Sequence, residues 1–213
     1  MSRIVTFGAA GTAGARVVAE AAARGHDVTA VARQEGRLRD LPPGVEAAVG
    51  DATRLDSVTA FAKDADVLVL TIGGNPEVYT RVVATVAAAA RSLPSKELRV
   101  LHMGGGSSLL NEDGVTFYEA PGFPEEYKPH ARGQLKALEA YRALGDEVTW
   151  TYLSPPPIHF APGARTGRYR TGSDHPVVGS DGRASISYED FAVALVDEIE
   201  NPRHLNKRFT VGY

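Results

Sequence analysis

The stretch Ile4-Val5-Thr6-Phe7-Gly8-Ala9-Ala10-Gly11-Thr12-Ala13-Gly14 decides the fold of this 213-residue chain. A short apolar run leads into glycines spaced G-x-x-G-x-x-G, and Arg16 to Arg24 continues as an Ala-rich helical segment. Strand, glycine turn and helix in that order form the phosphate-cradling start of a dinucleotide-binding fold. Gly8 allows the tight turn, Gly11 lets backbone approach a pyrophosphate, and Gly14 lets the helix pack close to the strand. Ala10, Thr12 and Ala13 complete the loop, and the helix start offers free N–H groups and a positive dipole end to phosphate.

Outward from this motif, apolar strand-like runs alternate with helical ones. Strands are expected at Ile4–Phe7, Val28–Ala32, Val45–Val49, Val67–Ile72, Leu98–Met103 and Val148–Leu153. Helical segments are expected at Leu55–Phe61, Tyr79–Arg91, His130–Leu144 and Phe191–Glu200, the last starting near Ser187-Tyr188-Glu189-Asp190. Glu35–Arg39 reads as a short polar helix or loop, residues 107–129 as loop, residues 161–187 as loops and short strands, and Arg208–Val211 as a final strand. Continuous apolar strands with helices between them imply a parallel sheet covered on both faces and joined by right-handed crossovers. The expected class is therefore α/β, a Rossmann-type doubly wound parallel sheet of order 3-2-1-4-5-6 with a small C-terminal capping region. One domain is expected over residues 1–213, with a nucleotide-binding half at 1–106 and a substrate-side half and cap at 107–213.

Composition narrows the function classes. Apolar residues make up 43% of the chain, enough for a full core, and a net charge of −3 argues against a nucleic-acid partner. Cysteine is absent, which rules out disulfides, zinc thiolates and a cysteine nucleophile. No His/Asp/Glu group has metal-ligand spacing, so no metal is expected. The apolar runs are too short for a signal-peptide core or a bilayer span, so the expected location is the cytoplasm, with no membrane partner.

The residue after the second strand discriminates between dinucleotides. An acid there bonds the ribose 2′-hydroxyl of NAD, and a base accommodates the 2′-phosphate of NADP. Here Val28–Ala32 is followed by Arg33, while Asp27 lies at the wrong end of the strand. Arg37 and Arg16 can add charge near the same phosphate, which suits the guanidinium fork. NADP(H) is therefore expected in preference to NAD(H). Asp51 and Ala52, at the corner after the third strand, are placed to meet the adenine, with an Asp turn or helix cap near Thr53 as the plain alternative. Thr71, Ile72, Gly73 and Gly74 end the fourth strand with small groups that let the ribose and nicotinamide side approach the backbone.

Gly8–Gly14 together with Gly25-His26-Asp27-Val28-Thr29-Ala30-Val31-Ala32-Arg33 resembles the atypical short-chain dehydrogenase/reductase superfamily. Three further runs, Trp150–Pro155, Pro162–Arg170 and Ile186–Ala192, resemble its NAD(P)H-binding branch described as NADH–flavin reductases, relatives of biliverdin reductase B and of nitrogen-metabolite-repressor type regulators. The resemblance covers essentially the whole chain. It implies an NAD(P)-binding Rossmann monomer or homodimer that transfers hydride to a flavin or quinone. On the same resemblance Ser107 and Ser108 stand where a catalytic serine belongs, Ser108 matching better. Ser154 and Pro155 belong to a segment lining the nicotinamide pocket, and Lys136 lies on the helix where a ribose-binding lysine is sought.

The chain departs from the Tyr-x-x-x-Lys pair that such dehydrogenases use for proton transfer. Tyr118, Tyr127 and Tyr141 are followed four residues on by Gly122, Ala131 and Gly145, and no tyrosine has a lysine at that spacing. Flavin or quinone reduction demands less acid–base machinery, because the conjugated acceptor takes the electrons and water can supply the proton. The expected function is hydride transfer from NADP(H) to a small conjugated acceptor, with FMN or FAD as a diffusible substrate. Candidate catalytic residues are Ser108, Tyr118 and Tyr127, with His130 flanking the same pocket. His102 reads as a core histidine. His159 and Phe160 are candidates for the substrate side, and Arg165, Arg168 and Arg170 for an anionic group such as a flavin phosphate. Two other functions fit the same residues. One is a non-catalytic NADP-binding redox sensor, and the other a carbonyl reductase or epimerase with non-standard acid–base groups.

Overall fold

A computed structural model describes residues 1–93 and 97–213. The glycine motif is built as its spacing dictates: β1 (Arg3–Phe7) runs into the turn at Gly8 and then into α1 (Thr12–Ala23). The Gly8 φ of +83° is one that L side chains rarely adopt. A Cβ on Gly14 would overlap the Gly8 carbonyl and stand 2.6 Å from Thr71 Oγ1, so only glycine lets α1 lie this close to the strand ends.

The chain continues through β2 (Asp27–Ala32), β3 (Glu46–Val49), α2 (Leu55–Ala62), β4 (Val67–Leu70), α3 (Pro76–Arg91) and β5 (Arg99–Met103). Two 3₁₀ turns, Gly106–Ser108 and Glu125–Tyr127, interrupt the long loop before α4 (Lys128–Ala143). Then follow β6 (Thr149–Ser154), β7 (His159–Ala161), β8 (Arg170–Gly172), β9 (Ser185–Ser187), α5 (Tyr188–Glu200) and β10 (Lys207–Gly212). The sheet order is β3-β2-β1-β4-β5-β6-β10-β8, with every pair parallel except the outer β10–β8 pair. The expected order 3-2-1-4-5-6 is present and is extended by two strands. Part of the segment expected as cap thus joins the sheet as β8, while β7 and β9 form a separate two-stranded pair.

Strand alternation divides the core in two. Val5, Phe7, Leu68, Leu70, Val100, Trp150 and Tyr152 face α2, α3 and α4. Ile4, Val28, Ala30, Val67, Val69, Leu101, Leu153 and Phe209 face α1 and α5. Both faces are covered, which is why the strands read as continuous apolar runs. Helix starts fall earlier than expected where proline occupies the first turn, at Pro76 in α3 and Pro129 in α4, because proline's fixed φ suits that position. No described helix is long and apolar enough to cross a membrane.

Candidate nucleotide-binding site

A cavity of about 560 Å³ opens at the carboxyl ends of β1, β2, β3 and β4, in the size range of roughly 300–1,000 Å³ common for ligand clefts. Gly8, Ala10 and Gly11 line one side, Ala32, Arg33 and Arg37 a second, Asp51 and Ala52 a third, and Thr71, Ile72 and Gly73 the far end. Ten expected cofactor residues therefore surround one cavity. Thr12, Ala13 and Gly14 sit beside it in the first turn of α1. Gly11 caps that helix with no side-chain bond, and the amides of Thr12, Ala13 and Gly14 find no acceptor among the described residues. Open amides at a helix start attract anionic oxygen.

The rest of the rim matches a phosphate and a base. Arg33 and Arg37 are exposed and carry no ion pair among the described residues. Asp51 Oδ1 accepts from the Thr53 amide at 2.8 Å and from the Thr53 hydroxyl at 2.7 Å. The Asp turn weighed against an adenine contact is thus present, and it leaves Oδ2 without a protein donor among the described residues. Thr71 reaches back to donate to the Phe7 carbonyl at 3.0 Å, fixing the β4 end against the glycine turn. Sequence reasoning missed Gln34, Thr53, Val78 and Val82, which also line the cavity. Val78 and Val82 carry the signal that could have found them, apolar residues four apart in the first turns of the helix after Gly73-Gly74. A nicotinamide dinucleotide fits this set: a glycine cradle that a Cβ would fill, open helix-start amides, and two rim guanidinium groups with no ion pair among the described residues.

Other expected residues gather elsewhere. Ser107, Ser108, Ser154 and Pro155 meet at the ends of β5 and β6, where a Cβ on Gly106 would stand 2.6 Å from the Pro155 carbonyl oxygen. Ser108 makes the contacts of a turn serine. It is 4% exposed, its hydroxyl donates to the Gly105 carbonyl at 2.8 Å, and it abuts Ser154 Oγ at 3.3 Å. Tyr118 lies on a neighbouring loop cavity, its hydroxyl accepting from Arg132 Nε at 3.1 Å and its ring edge-on to Phe123. Tyr127 is 61% exposed and lines neither that cavity nor the first. Gly74 lies just outside the main cavity, at the start of α3.

Three candidate arginines are engaged by partners the sequence hid. Arg16 donates to Glu189 at 2.6 Å and to the Thr12 carbonyl, and lies over the Tyr188 ring, facing α5 rather than Arg33. Arg165 donates through Nε and Nη2 to Glu20, each at 2.7 Å. Arg170 donates to the Val178 and Tyr213 carbonyls. His102 is a core histidine as expected: burial pushes its imidazole down to about 3, and it stacks on Tyr152. Lys136 is a solvated helix lysine. His130, at the start of α4, meets the buried Tyr79 of α3, whose hydroxyl is 2.8 Å from Nδ1 and 3.2 Å from Nε2.

Comparison with known proteins agrees with this geometry. Residues 8–202 match the family model described as NAD(P)H-binding. Bacillus subtilis (strain 168) "Uncharacterized protein YwnB" is 35% identical over 212 residues, covering 98% of this chain and 97% of that one. A solved structure of a "putative epimerase" from Bacteroides thetaiotaomicron is 31% identical with a TM-score of 0.90, covering 100% of this chain and 97% of that one. A solved "putative NADH-flavin reductase" from Streptococcus pneumoniae TIGR4 is 27% identical with a TM-score of 0.87, covering 100% and 99% of the two chains.

Proposed function

The chain belongs to the NAD(P)H-binding family, and from that premise we propose that it is an NADPH-dependent oxidoreductase reducing a small conjugated acceptor, a flavin or quinone. The observation that carries the cofactor preference is the unpaired Arg33–Arg37 couple on the cavity rim beside the uncapped start of α1. Arg33 holds a 2′-phosphate by charge-assisted bonds, with Arg37 adding to the field. The open amides of the α1 start receive pyrophosphate oxygens, Asp51 Oδ2 accepts from the adenine amino group, and Thr71 to Gly73 leave room for the ribose. Bound there, a reduced nicotinamide supplies a hydride.

Two features support the acceptor class. No tyrosine has a lysine four residues on to help polarise an isolated carbonyl, whereas a conjugated ring accepts hydride by positioning alone. The pneumococcal relative named for flavin reduction matches along nearly the whole chain. Water, positioned side chains and the loops after β5 and β6 complete the acceptor side, and the protein acts on its small-molecule acceptor as a monomer or homodimer.

The deciding assay follows NADPH oxidation with and without FMN or a quinone, beside an NADH control. Saturable, acceptor-dependent oxidation favouring NADPH is expected. Tight NADPH binding without turnover on either acceptor would replace the reductase with a redox sensor.

A further inference from the structure

Just beyond the β4 end of the cavity, a line of polar side chains runs from solvent into the core. Val78 lines the cavity, and the next residue, Tyr79, is fully buried behind it. The Tyr79 hydroxyl meets the exposed His130 ring at 2.8 Å, with the two rings edge-on at 5.2 Å. The Gly74 amide and the Gln134 side chain face the same hydroxyl. Gln134 is buried under the Gly105 turn and accepts from the Tyr152 hydroxyl at 2.8 Å. The helices come close enough for this because residue 133 is glycine: a Cβ there would stand 2.6 Å from the Tyr79 ring and 2.8 Å from Pro76 Cα.

A buried phenol fixed on both sides is an orienting group, and burial keeps it protonated. Its hydroxyl can accept from Nδ1–H, which the ring keeps both when charged and after Nε2 has given up its proton. The pair lies between the turns after β4 and β5, the side on which a dinucleotide anchored at Arg33 and Gly11 must place its nicotinamide. The exposed ring also has direct access to water for reprotonation.

We infer that His130, oriented by Tyr79, gives the proton that completes reduction of the acceptor. This rests on the reductase reading above. The hydride carries two electrons to the acceptor, leaving the nicotinamide oxidised and the acceptor as an anion. A bond then forms between an acceptor heteroatom and hydrogen as the Nε2–H bond of the imidazolium breaks, and the neutral ring takes a proton back from water. His130 is the catalytic residue of this step and Tyr79 its positioning residue.

The test uses the full-length protein and two readouts. First, the His130 ring signals, assigned in ¹⁵N-histidine-labelled protein by comparison with His130→Gln, should shift on adding NADPH. Signals of His26 and His204, at the opposite strand ends, should stay still. A His130 signal indifferent to NADPH would overturn the assignment. Second, His130→Gln should lower kcat about 100-fold, within the range of general acid catalysis, while NADPH affinity stays within about twofold. Tyr79→Phe should lower kcat less, with affinity again preserved. His130→Ala should regain rate on addition of free imidazole, a rescue that a merely structural role would not give. Undiminished kcat in His130→Gln beside an active wild type would sink the proton-donor role alone. Wild type that binds NADPH yet reduces neither FMN nor a quinone would remove the reductase reading and this role with it.

Discussion

Two helix starts, those of α1 and α5, lie at strand ends and face opposite fates. At α1 the cap is Gly11, no side chain covers the amides, and Arg33 and Arg37 nearby have no protein partner among the described residues. At α5 the cap is Ser187, whose hydroxyl accepts from the Asp190 amide at 2.9 Å. The buried Asp190 carboxylate in turn takes the Thr166 and Gly167 amides, the Thr166 hydroxyl and the Tyr213 hydroxyl at 2.6–2.8 Å. Burial alone would raise that carboxyl, but the bonds from Thr166, Tyr213 and Gly167 outweigh it and hold it below its ordinary value. The same chemistry is therefore left open where a ligand is to come and is closed internally where only architecture is needed.

The contrast is most exposed to failure at its closed end. Asp190→Ala removes the acceptor of several buried donors and should cost about 3 kcal/mol of stability, read as a lower denaturant midpoint, with NADPH affinity intact in the folded fraction. A drop in affinity larger than the drop in stability would mean that α5 belongs to the site. The pH dependence has a definite sign. Because folding depresses this carboxyl, its contribution is present above its unfolded value of about 3.9 and is lost as pH falls through the lower folded value. Asp190→Asn should flatten that acid limb of the stability curve.

Next in size is Gly11→Asp, which gives α1 the cap it lacks and puts a carboxylate where phosphate should sit. Stability should change by only a few tenths of a kcal/mol, since glycine is itself a tolerated cap. NADPH should bind about 100-fold more weakly, roughly the loss of one or two charge-assisted contacts. Unchanged affinity by titration calorimetry would move the pyrophosphate away from this helix. Arg33→Ala should weaken NADPH about 10- to 30-fold, near 2 kcal/mol, and leave NADH almost untouched. Equal losses for both would cancel the 2′-phosphate role. Smallest is Arg165→Ala, whose side chain is 55% exposed, so its pair with Glu20 should be worth under about 1 kcal/mol in thermal melts, with no change in acceptor or cofactor binding.

The open half of the molecule was legible in the sequence because its signals are local. Gly8, Gly11 and Gly14 stand at fixed offsets, Arg33 immediately follows an apolar strand, and of the connections from β1 to β5 all but β3 to β4 join neighbouring strands. The closed half was opaque because its partners lie far apart. Arg165 finds Glu20 across 145 positions, and Arg16 finds Glu189 across 173, so nothing near either arginine announces that its charge is already balanced. Ser108 was ambiguous for a related reason: a serine after a strand looks the same whether its hydroxyl faces a ligand or bonds a neighbouring carbonyl, here that of Gly105. The pairing of Tyr79 with His130, 51 residues apart on two helices, leaves no motif at all.

The outermost strands set an order of assembly. β8 precedes β10 along the chain, yet its only place in the sheet is against β10, which itself must first pair with β6. Leu153 meets Phe209 across 56 residues of chain, whereas the β1–β2 pairing closes a single short crossover. Until β10 is in place β8 has no strand to pair with, so the β8–β10 edge is the last addition to a sheet whose central strands β1 and β4 are paired on both sides. Opening should retrace this path, with the amides of β8 and β10 exchanging hydrogen together and ahead of those in β1 and β4.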